Sequence, residues 1–126
     1  DGAIWRIEVS PKQAANTDNF LNVMQVMDYD GGTKKPFPTL KIETDKFVGA
    51  AIGNRIVLFS KNGDIINESF KIQVNESAKV LITDVSNGNW KVKLAANSKN
   101  SAKIVKSDKQ LLYFDAVKGS YTITKQ

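Results

Sequence analysis

The 126-residue chain contains no cysteine and no histidine. Without cysteine, neither disulfides nor thiolate metal sites are available, although that does not fix a compartment. Without histidine, the usual general base near neutral pH and the commonest metal ligand are missing. Only three prolines and two arginines occur, and aromatic residues make up 9%. No apolar run approaches the roughly 20 residues needed to span a membrane by a helix. No signal peptide is visible and the first residue is Asp1, so the chain reads as a processed or excised piece of a longer protein. The length suits one domain, residues 1–126, with a sizeable core.

What is present is lysine. The formal net charge is +5. Residues 1–60 hold seven Lys/Arg and seven Asp/Glu, whereas residues 61–126 hold eleven lysines and six Asp/Glu. The whole excess therefore lies in the second half. A lysine-rich surface attracts acidic polymers; it also aids solubility and blunts sheet edges, which is the commoner use.

Hydrophobic patterning is that of strands. Trp5, Ile7 and Val9 alternate with Arg6 and Glu8, the period of a half-buried strand. Residues 18–28 carry apolar side chains on both faces: Leu21, Val23 and Met27 on one, Phe20, Met24 and Val26 on the other. That pattern predicts a strand covered on both sides, in the middle of a sheet. Residues 28–38 read as a loop, since Gly31 and Gly32 favour turns and Pro36 and Pro38 bar ladder pairing. Short strands are predicted around Leu40, over 47–52 and 55–60, 70–74, 80–83, 90–94, at Ile104, and over 111–116 and 121–124. Gly53-Asn54 is a two-residue hairpin signal. Further turns fall at 61–64, Asn87-Gly88, 97–101 and Lys118-Gly119. No window keeps helical spacing, beyond one loose turn within 11–18. The expectation is an all-β fold, an antiparallel β-sandwich of about ten short strands.

Trp5-Arg6-Ile7-Glu8-Val9-Ser10-Pro11, followed by Asp18-Asn19-Phe20-Leu21-Asn22-Val23, resembles the heparinase II/III-like polysaccharide lyases, in whose β-rich C-terminal part a similar segment occurs. Later text is similar in the same order: Val48-Gly49-Ala50 with Ile56-Val57-Leu58-Phe59, Leu81-Ile82-Thr83-Asp84 with Gly88-Asn89-Trp90, and Leu112-Tyr113-Phe114-Asp115 with Tyr121-Thr122-Ile123. The resemblance implies a non-catalytic C-terminal β-sandwich of a secreted or periplasmic enzyme. The whole enzyme would cleave acidic, uronate-containing polysaccharide, such as a glycosaminoglycan, by β-elimination. The partner would be the catalytic helical domain of the same parent chain, with acidic polysaccharide as a further contact. The family's Asn, His and Tyr catalytic set and its His/Asp metal site have no histidine to map onto here, so no catalytic residue, metal or cofactor carries over.

Trp5 and Trp90 share strand faces with aliphatic neighbours and read as core, not as sugar platforms. Tyr29 stands in a Gly-rich loop as a turn residue. Asp28-x-Asp30 resembles the start of a calcium loop but lacks a closing glutamate. Tyr113 and Tyr121 have no histidine partner to tune them for acid–base work. Lys71, Lys91 and Lys93 alternate with buried positions and should point outward, the best candidates for glycan contact. Two arginines and no aromatic–basic interleaving argue against nucleic acid. Two other readings compete: an independent carbohydrate-binding module, which needs an exposed aromatic on a flat face or groove, and an immunoglobulin-like adhesion domain, which needs two complete sheets. The scaffold reading predicts instead an exposed apolar patch facing a partner domain.

Overall fold

A computed structural model describes residues 8–13, 16, 20–28, 31–95 and 102–126. These form nine strands and no helix: β1 (Thr39–Glu43), β2 (Phe47–Ile52), β3 (Arg55–Ser60), β4 (Phe70–Val74), β5 (Ala78–Ile82), β6 (Gly88–Leu94), β7 (Ala102–Ser107), β8 (Leu112–Ala116) and β9 (Gly119–Lys125). Two sheets pack face to face as a β-sandwich. One has the order β1-β2-β3-β5-β8, the other β4-β9-β6-β7.

Alternation decides which side chains go inside. β4 buries Phe70, Ile72 and Val74 while Lys71 and Gln73 stay exposed. β8 does the same with Leu112, Phe114 and Ala116 against Tyr113 and Asp115. Burying a side chain of this size contributes about 1.5–3 kcal/mol, which is what holds two such faces together. At the centre, Phe47 and Phe70 have ring centroids 4.7 Å apart and Phe70 and Trp90 5.7 Å apart, joining the two sheets. Trp90 is fully buried, as its strand face predicts, and its indole N–H donates to the Ser86 carbonyl at 2.9 Å. Tyr121 is also core. Its hydroxyl donates to the Val117 carbonyl at 3.0 Å and accepts from the Val117 N–H at 2.9 Å.

The Gly53-Asn54 hairpin forms as predicted: Ile52 pairs with Arg55, and Gly53 takes a positive φ of 54°. The β7–β8 connection is tighter than the sequence suggests. Lys109 and Gln110 both adopt positive φ, and Asp108 and Leu111 exchange backbone hydrogen bonds. Asp84 also has positive φ, and its carboxylate accepts from the Ser60 N–H and the Thr83 hydroxyl. It thereby fixes the corner where β5 leaves for the other sheet.

The antiparallel β-sandwich is as expected, with one parallel pair inside it: β3 and β5, Ile56 opposite Val80 and Leu58 opposite Ile82. Between them the chain runs β4 in the opposite sheet, so it re-enters the first sheet travelling in the direction of β3. One expectation needs correction: residues 20–28 are not a central strand. They carry no ladder pairing, and Met24 and Val26 are 88% and 91% exposed. Apolar residues on both faces are read as a fully covered strand. Here Phe20, Leu21 and Val23 lie along β2 and β3, and the opposite side chains face outward. The predicted strand at 4–10 falls largely outside the described residues, as do Trp5, Tyr29 and Asp30.

Candidate functional site

The two sheets present different outer surfaces. On the five-stranded sheet the outward positions of β2 and β3 are apolar except for Arg55 at the hairpin end: Val48, Ala50, Ile52, Val57 and Phe59. Residues 20–28 run over this face. Phe20 and Leu21 border Val48 and Phe59, and Leu21 and Val23 wall a groove of about 520 Å³ floored by Val48 and Ala50. The side chain of Gln25 anchors the segment, donating to the Phe37 carbonyl at 2.9 Å and accepting from its N–H at 2.8 Å. Phe20, Leu21, Val23, Met24, Val26, Met27, Phe37 and Phe59 are all exposed, and so form an apolar strip.

Both acidic residues in the strands of this sheet are paired with lysines. Glu43 sits between Lys41 at 2.6 Å and Lys61 at 2.9 Å. Hydrogen bonds from Lys41 and Lys61 hold its carboxyl down at about 2, well below the usual carboxylate range. At the far edge, the Tyr113 hydroxyl and the Asp115 carboxylate raise the Lys79 ammonium above its ordinary value. Tyr113 is exposed on the outer face of β8, and its partner is a lysine in open solvent. Among the described residues nothing there shields a proton-transfer site from water.

The four-stranded sheet is different. Its strands carry Lys71, Lys91, Lys93, Lys103, Lys106 and Lys125, and no acidic residue. Two of the six are taken up at the sandwich edges. Lys103 donates to the Asp115 carbonyl at 2.6 Å and lies over the Phe114 ring; Lys125 donates to the Asn87 carbonyl at 2.7 Å and lies over Trp90. The other four, Lys71, Lys91, Lys93 and Lys106, are exposed on the outer face. No ion pair holds any of them among the described residues.

Sequence reasoning picked out Lys71, Lys91 and Lys93 and left open whether their strands are neighbours. They are not adjacent, because β9 lies between β4 and β6. Register still brings them together. Thr122 of β9 is opposite both Lys71 and Lys93, so the three make one row across the sheet. Lys91 lies two residues along β6, opposite Thr124. Lys106 was missed. On β7 it pairs with Asn89 of β6, one row beyond Lys91, and only the β6–β7 register reveals that. Its own strand looked short and unpatterned in the sequence.

Among the described residues, no group of three or more His, Cys, Asp or Glu side chains is placed to hold a metal ion. No helix there is long and apolar enough to cross a membrane.

Compared with known families, residues 41–125 match the heparinase II C-terminal domain. The chain belongs to that family. The match runs from the middle of β1 to the end of β9 and takes in all of the other strands of both sheets. A comparison with curated proteins finds no match. Residues 20–28, which overlie the five-stranded sheet, precede the matched region of this heparinase II C-terminal domain, as do the segments 5–11 and 18–26 that resemble the lyases.

Proposed function

We propose that the chain is the non-catalytic C-terminal β-sandwich of a heparinase II/III-like polysaccharide lyase. The whole enzyme would be secreted or periplasmic and would cleave acidic, uronate-containing polysaccharide by β-elimination. The observation that carries this reading is the family match over residues 41–125. In this reading the chain's task is to support the catalytic helical domain, with substrate contact as a secondary role through Lys71, Lys91 and Lys93.

The β-elimination needs a base at the C5 proton of the uronate and an acid at the leaving oxygen. This chain has no histidine. Its two described tyrosines are Tyr121, whose hydroxyl is spent on Val117, and Tyr113, which is exposed beside Lys79. Neither has the enclosed, polarised setting that acid–base work requires.

Support for a docking role comes from the apolar strip at Phe20, Met24, Val26, Phe37 and Phe59. An isolated domain gains nothing from presenting such a strip to water, and a helical partner domain would cover it. The independent binding-module reading asks for an exposed aromatic on a flat polar face. The described outer face of the four-stranded sheet has none, which favours the supporting role.

The test has two parts. The chain alone, incubated with heparin, hyaluronate or alginate, is expected to yield no unsaturated product by absorbance; product formation would overturn the non-catalytic assignment. A Met24→Ser, Val26→Ser variant is expected to bind the parent's helical domain at least tenfold more weakly while keeping its fold by circular dichroism. Unchanged binding would remove this surface as the docking site.

A further inference from the structure

We infer that the outer face of the four-stranded sheet binds a linear polysaccharide bearing sulfate or carboxylate groups, laid diagonally across the strands along Lys71, Lys93, Lys91 and Lys106. This deepens the reading above and rests on it for the choice of a polysaccharide over other polyanions.

The geometry comes from register. Lys71 and Lys93 are two strands apart in one row, roughly 10 Å at ordinary strand spacing. Lys91 is two residues from Lys93 on β6, roughly 7 Å along the strand. Lys106 is one strand and one further row beyond Lys91. The four ammonium groups therefore step from the β4 edge to the β7 edge over roughly 20 Å, at intervals of roughly 7–10 Å. Such a path suits a chain whose anionic groups recur at intervals, not a single compact anion.

Protection of sheet edges explains the lysines on β4 and β7, but not those on β6, which is paired on both sides. Solubility is served best by interspersed charges of both signs, and the strands of this face carry no acidic residue. A single-sign field is what steers an oppositely charged polymer. Along this line lie Thr122, Thr124 and Asn89, with the hydrogen-bonded pair of Ser120 and Gln73 one row outside Lys71, groups that can both donate to and accept from sugar hydroxyls, and the exposed Ile104 opposite Lys91 offers an apolar contact. Nucleic acid fits less well. The strands of this face offer no outward aromatic ring for a base to stack on and no arginine.

The experiment is a titration of the chain against heparin, desulfated heparin, hyaluronate, neutral dextran and single-stranded DNA at several salt concentrations. Heparin or hyaluronate is expected to bind saturably and to weaken steeply with salt, dextran not to bind, and DNA to bind more weakly. Replacing Lys71, Lys91, Lys93 or Lys106 by Gln should each cost about 3- to 10-fold in affinity and about one unit of salt slope. All four together should cost at least 100-fold. A control with the same charge change elsewhere (Lys12, Lys35, Lys79 and Lys109 to Gln) should lose less than 5-fold. Desulfated heparin retaining affinity assigns the recognition to carboxylate, and losing it assigns the recognition to sulfate; either supports the surface. Equal losses in both quadruple variants, or no binding to any acidic polysaccharide, would overturn it. Tighter binding to DNA would overturn the polysaccharide assignment. None of these failures touches the supporting role, which is judged on docking through Met24 and Val26.

Discussion

The four-stranded sheet places six lysines and no acidic residue in its strands; the five-stranded sheet places three cations (Lys41, Arg55, Lys79) and two anions (Glu43, Asp115). The inner faces are alike, aliphatic and aromatic in alternation. The outer faces are not. One is basic and, apart from Ala102 and the exposed Ile104, polar. The other is apolar across β2 and β3 up to Arg55, is overlain by residues 20–28, and pairs Glu43 with Lys41 and Lys61 and Asp115 with Lys79. A sandwich needs only its inner faces to fold, so its outer faces are free to take on different contacts. The apolar one suits a protein neighbour and the basic one an acidic polymer.

Breaking the shared interior should erase both faces together. Trp90→Ala removes the largest fully buried side chain and its bond to Ser86. It is expected to cost about 3–5 kcal/mol, a large part of a marginal stability. Chemical denaturation should show one cooperative transition at lower denaturant. Two separate transitions would mean that the sheets do not form one unit.

Gly49→Ala strikes the five-stranded sheet alone. An added Cβ would lie 1.9 Å from the Val57 carbonyl oxygen of the neighbouring strand. The expected loss is about 3 kcal/mol, read as a fall in Tm. An unchanged Tm would mean that β2 and β3 can part without cost.

The smallest effect is electrostatic. Glu43 is held at about 2 by Lys41 and Lys61 against an ordinary 4.5. Its contribution is therefore fully present above pH 4.5 and is lost as pH falls toward 2. Glu43→Gln should flatten the acid limb of the stability profile slightly in that window, because an exposed pair is screened by solvent. Substituting Lys91, which has no acidic partner among the described residues, should leave that limb unchanged. An equal change at both positions would blur the contrast between the paired and the basic face.

Much of the fold was legible in the residues. Period-two alternation in 70–74, 90–94 and 112–116 sufficed to place Phe70, Trp90 and Phe114 inside and Lys71, Lys91 and Lys93 outside, because a pleated strand offers only two sides. Gly53-Asn54 announced its hairpin through the positive φ that glycine tolerates. Residues 20–28 misled, because apolar side chains on two faces look the same whether both sides are covered by one chain or one side awaits a neighbour. The parallel β3–β5 pair was hidden too, since strand direction depends on which sheet the intervening strand joins.

By itself, then, the sequence determined the all-β class, the inward and outward sets of each regular strand, and the lack of histidine that bars the usual acid–base chemistry. These are local properties, written in alternation and composition. Tertiary structure alone decided that Lys71 and Lys93 share a row through Thr122, that Lys106 extends their line, and that the apolar and basic surfaces fall on opposite sides of the sandwich. Those are matters of strand order and register, fixed by contacts between residues far apart in the chain, and no local pattern carries them.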